Sequence, residues 1–271
     1  MTRANVRFEL SLWGGATERR YRRLRPEVER LPWGTLDPTR YPAELVLAAR
    51  RSWTLAAFQE HRTGAACAAT LEALIAARAP VDLIAVAARF PLDELAHVEL
   101  CARLAAELGG GTPVDHDPSA LIPRPAAELP PLLRAADCVV RYFCVGEAIS
   151  IPLLRGTWHA ARHPLTKAVL GCIVKDEAAH GQFGWQFLDW ATATDALSEA
   201  DRAHLASVAS ETIAELVASW DVIPARSAAP VDDLNALGWM ESAAYLALAR
   251  RSLADQVLAP LRRFGIPVAA A

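Results

Sequence analysis

One five-residue pattern occurs twice in the chain, as Asp93-Glu94-Leu95-Ala96-His97 and as Asp176-Glu177-Ala178-Ala179-His180, each within a stretch rich in alanine and leucine. Such stretches read as helix, where positions three apart share a face, so each copy aims one carboxylate and one imidazole at the same spot. Leu92, Leu95, Val98 and Leu100 surround the first copy, and Ile173, Val174, Ala178 and Ala179 the second, which leaves little polar face for solvent. A buried carboxylate is costly unless something pairs with it. The fold must therefore bring the two helices to a common partner, or to each other. A lone Glu-x-x-His is expected about 0.4 times by chance at this composition, so the weight rests on the repetition with its matching flanks.

The rest of the chain supplies helices to pack against these two. Over 42–79 the apolar residues recur at spacings of three and four with Gly64 as the one internal breaker, which predicts a first long helix. A second runs from Pro80 to the stop at Gly109-Gly110-Gly111, with Pro91 expected to kink or interrupt it just before Glu94. Prolines at 113, 118, 123 and 125 make 109–131 a long non-helical connection. At roughly 3.3 Å per residue it can run past a 30-residue helix of about 45 Å. A third helix follows over 131–160 with a kink at Pro152, and a fourth from Pro164 to about Thr192. Ser198, an N-cap with Asp201 three residues on, starts a fifth that ends at Trp220. A loop containing proline and aspartate leads to a last helix over about 238–264. Gly14-Gly15, Pro26, Pro32-Trp33-Gly34 and Asp37-Pro38 allow at most one short helix in the first 40 residues. The expectation is an all-α chain with an N-terminal extension (1–40), a four-helix bundle with a long crossover between its second and third helices (41–192), and a C-terminal helical extension packed on the bundle (193–271).

Composition narrows the partners. A net charge of −3 and a pI near 6.2 give no electrostatic case for nucleic acid or an anionic membrane. The basic run Arg19-Arg20-Tyr21-Arg22-Arg23-Leu24-Arg25 is flanked by Glu18, Glu27 and Glu29 and reads as a solvated helix face. No window of about 20 residues is free of charge, so no membrane span is expected. The start, Met1-Thr2-Arg3-Ala4, lacks the apolar run of a secretory signal. Five cysteines, with no Cys-x-x-Cys pair, sit in apolar helical stretches and read as reduced thiols of a cytoplasmic protein.

Hairpin geometry tests whether further acids reach the repeated pattern. If the first two helices turn near Ala79-Pro80, Glu60 lies about 19 residues before the turn and Glu94 and His97 about 14 and 17 after it. If the next two turn near Arg162, Glu147 lies about 15 before and Glu177 and His180 about 15 and 18 after. All six groups can share one level. Glu147 is set in the nearly apolar stretch Val139–Ile149, where an acid needs a partner. Two Glu-x-x-His helices with one Glu from each of two more form a donor set for a pair of iron or manganese ions.

In order, number and spacing, Glu60, Glu94-x-x-His97, Glu147 and Glu177-x-x-His180 resemble the ferritin-like di-iron carboxylate superfamily over about residues 42–192. The resemblance implies that Glu60 and His97 complete the shell of one iron and Glu147 and His180 that of the other, with Glu94 and Glu177 bridging. Its oxygen-activating branch, which includes hydrocarbon monooxygenases and acyl desaturases, implies that Asp93 pairs diagonally with His180 and Asp176 with His97. A ligating histidine usually donates its other N–H in this way, which fixes the tautomer.

Other residues carry plainer readings. His159 and His163 precede the break at Pro164, Asp201 and His204 lie in a first helical turn, His61 faces away from Glu60, and His116 lies in the crossover as a solvated residue. Tyr142 and the tryptophans at 53, 158, 185, 190, 220 and 239 read as core or interface, the latter admitting a homodimer. Gly64 and Ser150 fall on the metal-facing side, where small groups leave room for oxygen or substrate.

The expected function is a di-iron oxygenase or oxidase, with two Fe ions (or Mn, or a mixed pair) and O2 as co-substrate, acting on a small organic molecule. No flavin or nucleotide motif is present, so electrons come from a separate ferredoxin or reductase. The rival expectation is a ferroxidase or peroxide-scavenging iron-handling protein. Hydroxylation of a transfer-RNA base is disfavoured by the acidic balance, and a metal-free helical interaction protein is the remaining alternative.

Overall fold

The computed structural model describes residues 5–221, 223 and 230–268, so Met1–Ala4 and most of the loop expected after Trp220 fall outside the described residues. The chain is mostly helical, with one small pairing of extended segments among the described residues. In the N-terminal region, β1 (Val6–Arg7) is followed by α1 (Gly15–Leu24), the one short α-helix before the main body. Residues Ala43–Ala76 form α2, the first long helix. Its buried positions Leu45, Ala49, Trp53 and Ala57 recur every four residues, and it ends where Arg78 takes a positive φ of 55°.

The second expected helix is two. α3 spans Val81–Ala87 and α4 Phe90–Glu107, with Pro91 in the first turn of α4. Proline has no N–H to continue the ladder but fits a first turn, so the break falls a few residues upstream of Glu94. The crossover carries β2 (Asp115–His116), which pairs antiparallel with β1 in the register Val6–His116 and Arg7–Asp115. It is tied down along its length. Arg50 donates to Gly110 O at 2.8 Å, Arg62 to Leu121 O at 2.8 Å, and the Tyr142 hydroxyl to Pro123 O.

The third helix is continuous over 131–160 but changes pitch. It comprises α5 (Pro131–Cys138), a π-helical stretch Val139–Glu147 and α6 (Ala148–Ala160), with Pro152 inside α6. Next come α7 (Pro164–Ala193) and α8 (Glu199–Trp220), the latter opened by a reciprocal capping box between Ser198 and Asp201. His163 is the N-cap of α7, its Nδ1 accepting from Leu165 N at 3.1 Å. A short α9 (Val231–Ala236) lies within the stretch expected to be a loop, and the last expected helix comprises α10 (Ser242–Ser252), a second π stretch (Leu253–Leu258) and α11 (Ala259–Arg263).

α2 packs along α4, α4 against α7, α7 against the π stretch and α6, and α5 back against α2, which closes a ring of four helical segments. α8 lies on α5 and the π stretch, and α10 on α6. Small residues set the approach distances. A Cβ on Gly184 of α7 would stand 2.7 Å from Cys144 Sγ, so only glycine lets α7 lie this close to the π stretch.

Candidate metal centre

The ring of four surrounds the repeated pattern. Glu94 and His97 project from α4, Glu177 and His180 from α7, Glu60 from α2, and Glu147 from the last position of the π stretch. Donor atoms of Glu60, Glu94, His97 and Glu177 lie within 4.8 Å of one another, and so do those of Glu94, Glu147, Glu177 and His180. Glu94 and Glu177 belong to both groups. The structure therefore brings all six sequence-selected residues into one cluster with two overlapping halves.

The two imidazoles face it the same way. His97 Nδ1 points at Glu177 Oε1 (3.3 Å), Glu94 Oε2 (3.6 Å) and Glu60 Oε2 (3.8 Å). His180 Nδ1 points at Glu94 Oε1 (3.0 Å) and Glu177 Oε2 (3.2 Å). On the outer side, His97 Nε2 lies 3.4 Å from Asp176 Oδ2, within hydrogen-bond reach, and His180 Nε2 lies 3.6 Å from Asp93 Oδ2, which leaves that nitrogen without a hydrogen-bond partner. Each aspartate thus faces the histidine of the other helix.

Buried donors without hydrogen-bond partners provide the test of fit. Both Glu94 oxygens, Glu177 Oε2, His97 Nδ1 and His180 Nδ1 are buried and unpartnered. Leaving one such group unmet costs about 1–3 kcal/mol, and more when it is charged, so five of them around one point are what a cation would relieve. The four glutamates carry four negative charges when ionised, which bound divalent cations would offset in a buried site.

Without metal, protons take that part. Burial pushes the Glu60 carboxyl up to about 8, aided by Glu94 and Glu177 and opposed by His97. Burial and the charges of Glu177 and Glu94 push Glu147 well above the usual carboxylate range. Burial disfavours charge on the imidazoles, yet Asp176, Glu177, Glu60 and Glu94 hold His97 well above its ordinary value, and Asp93, Glu177 and Glu94 carry His180 to about 12. Burial would raise Glu177 too, but His180 and His97 overcome it and hold its carboxyl far below the ordinary value. Imidazoles protonated in this way are poor ligands, so a metal must displace protons to bind.

Gly64 and Ser150 lie where their spacing placed them. A Cβ on Gly64 would come 3.3 Å from Glu94 Cβ, and Ser150 Oγ donates to Glu147 Oε2 at 3.0 Å. Cys67 is buried, and burial together with Glu94, Glu147 and Glu177 keeps its thiol well above its normal range, so it stays neutral and packs as a small apolar group.

Sequence reasoning missed two features. The first is a dry wall beside His180, where the Phe90 ring lies 4.2 Å from the imidazole and Phe143 and Phe183 lie 5.5 and 5.3 Å from Phe90. A signal for it existed, because Phe90, Phe143 and Phe183 each lie one helical turn from a cluster residue. The second is Arg25. The run to which it belongs is not a uniformly solvated face: Arg25 is only 8 % exposed and reaches Asp93 and Asp176.

The other histidines stay outside the cluster. His61 lies against Phe8, and His204 Nε2 meets Asp137 Oδ2 at 3.2 Å. His116 is not simply solvated, because its ring packs 5.0 Å from Phe58 and its Nδ1 is buried. Among the described residues no helix is long and apolar enough to cross a membrane. Comparison with protein-family models, with curated proteins and with solved structures found no match to this chain.

Proposed function

We propose that the chain is a ferritin-like, non-haem di-iron protein that uses dioxygen to oxidise a small organic substrate, with electrons from a separate ferredoxin or reductase. The observation that carries the reading is the set of inward-facing, unpartnered carboxylate and Nδ1 atoms, backed on the outer side by the diagonal Asp–His pairs. Glu60 and His97 would hold one ion, Glu147 and His180 the other, and Glu94 and Glu177 face both. Iron suits mixed carboxylate and imidazole donors, as manganese or a mixed pair would. Bound as a pair, such ions supply the two-electron reduction of dioxygen.

The residues of the chain do the rest. Asp176, hydrogen-bonded to His97 Nε2, orients that imidazole and selects the tautomer whose Nδ1 is free for metal, while Asp93 stands 3.6 Å from His180 Nε2 and acts on it through charge alone. Phe90, Phe143 and Phe183 exclude water beside His180, and the absence of a side chain at Gly64 lets α2 approach Glu94 of α4 closely. Ser150 fixes one Glu147 oxygen. The helices beyond α7 pack on α5, the π stretch and α6, which supports an organic substrate over bare iron storage, since iron handling needs no such cover. The iron-handling reading draws on Glu60, whose side chain is 15 % exposed and offers ions a way in.

Metal analysis of the aerobically purified chain should find about two iron ions per chain. Less than one iron or manganese would remove the catalytic reading. Reduction and exposure to oxygen with excess Fe(II) then separates the two functions, since sustained mineral formation would favour iron handling and a single turnover the oxygenase.

A further inference from the structure

α1 and the turn after it are fastened to the outer face of α4 beside the cluster. Tyr21 OH lies 3.5 Å from Leu95 O, and Arg22 Nη1 lies 3.1 Å from Glu99 Oε1. Val28, three residues past Arg25, is buried, and its carbonyl accepts from Trp33 Nε1 at 2.8 Å. This anchoring carries the Arg25 guanidinium to a point between the two copies of the repeated pattern. Nη1 donates to Asp93 Oδ1 at 3.1 Å, Nη2 to Asp176 Oδ2 at 2.5 Å, and Nε to Glu27 Oε1 at 2.6 Å.

We infer that Arg25 is a positioning residue for both metal sites, a single guanidinium that holds the two Asp–His pairs in register and makes the N-terminal segment part of the centre. The inference rests on the metal reading above. Hydrogen bonds run from His97 to Asp176, through Arg25, to Asp93, which stands 3.6 Å from His180 Nε2. Arg89, largely exposed, meets Asp93 alone at 3.2 Å, whereas Arg25 is the buried cation that both aspartates share. Lysine cannot take its place, because an ammonium is a point charge whereas the planar fork spans two acceptors with fixed angles. A lysine there would serve one aspartate and leave the opposite histidine loosely held.

The test is a titration of the metal-free full-length chain with Co(II), read by its visible bands, for wild type, Arg25→Lys and Arg25→Gln, with helix content and melting measured alongside. Wild type is expected to take up two equivalents. Each variant should keep its helix content but bind at least one ion about 10- to 100-fold more weakly, with altered bands, and Arg25→Gln should lose more than Arg25→Lys. If Arg25→Gln does not fold, Arg25→Lys, which keeps the charge, decides. Folded variants that bind two ions with wild-type affinity and bands would overturn the role of Arg25 and leave the metal reading standing. A wild-type chain that takes up no Co(II) would overturn the metal reading, and this inference with it.

Discussion

The two halves of the cluster are near copies in sequence and unequal in surroundings. In the α2/α4 half, Glu60 comes from a regular α-helix, has a side chain 15 % exposed, and has neighbours that bond to the crossover. In the other half, Glu147 ends a π stretch, is held by Ser150, and shares its side of the cluster with the ring of Phe90 against His180. Asp176 reaches its histidine at 3.4 Å, whereas Asp93 stands 3.6 Å from its own and is also drawn toward Arg89. A repeated motif fixes which atoms can ligate. What each half does with solvent, charge and mobility is set by unrelated segments packed behind it. The α2/α4 half is suited to exchange with the outside and the other to a dry, fixed geometry.

The largest expected effect abolishes the comparison altogether. Glu94→Ala or Glu177→Ala removes a carboxylate common to both halves, so metal analysis should find neither ion retained, a loss of at least about 100-fold in affinity for each. Retention of one tight ion would mean that the halves are independent. Next, Glu147→Ala and Glu60→Ala should separate them. Each variant should keep about one ion, but Glu147→Ala should abolish oxygen consumption while Glu60→Ala slows metal uptake, as read by stopped-flow mixing with Fe(II). Identical behaviour of the two would erase the proposed division.

The smallest effect is on pH. Glu60 and His180 have raised values in the folded metal-free protein, about 8 and about 12, so their stabilisation is complete below their unfolded values and declines as pH rises. The melting temperature of the metal-free chain should fall between about pH 6.5 and 9, while metal affinity rises because fewer protons must leave. A metal-free melting curve that is flat or rising over that window would show that the cluster is not protonated as described.

Much of this arrangement was legible because helical spacing is local. The breaks at Ala79-Pro80 and Pro164 located the hairpins, and counting from them selected Glu60 and Glu147 from among the glutamates. The capping box at Ser198 was equally readable, since it is complete within four residues. Arg25 was not, because its partners lie 68 and 151 residues away and its neighbours Arg19, Arg20 and Arg23 are exposed, as a basic run predicts. The interruption between α3 and α4 was expected, but its position depended on whether Pro91 would occupy a first turn or an interior one. The change of pitch over Val139–Glu147 has no compositional mark, because the same apolar residues suit either helix.

That change of pitch bears on how the chain tolerates length variation. A π turn holds about one residue more than an α turn, so the stretch ending at Glu147 behaves like an insertion absorbed without a loop. Deleting one residue there would give a more regular helix, yet it would rotate everything downstream by about 100° relative to α5. Either Glu147 or the face that α6 shows to α7 would then point the wrong way. The chain keeps a less favourable helix so that one acid and one packing surface, out of phase with each other, can both be satisfied.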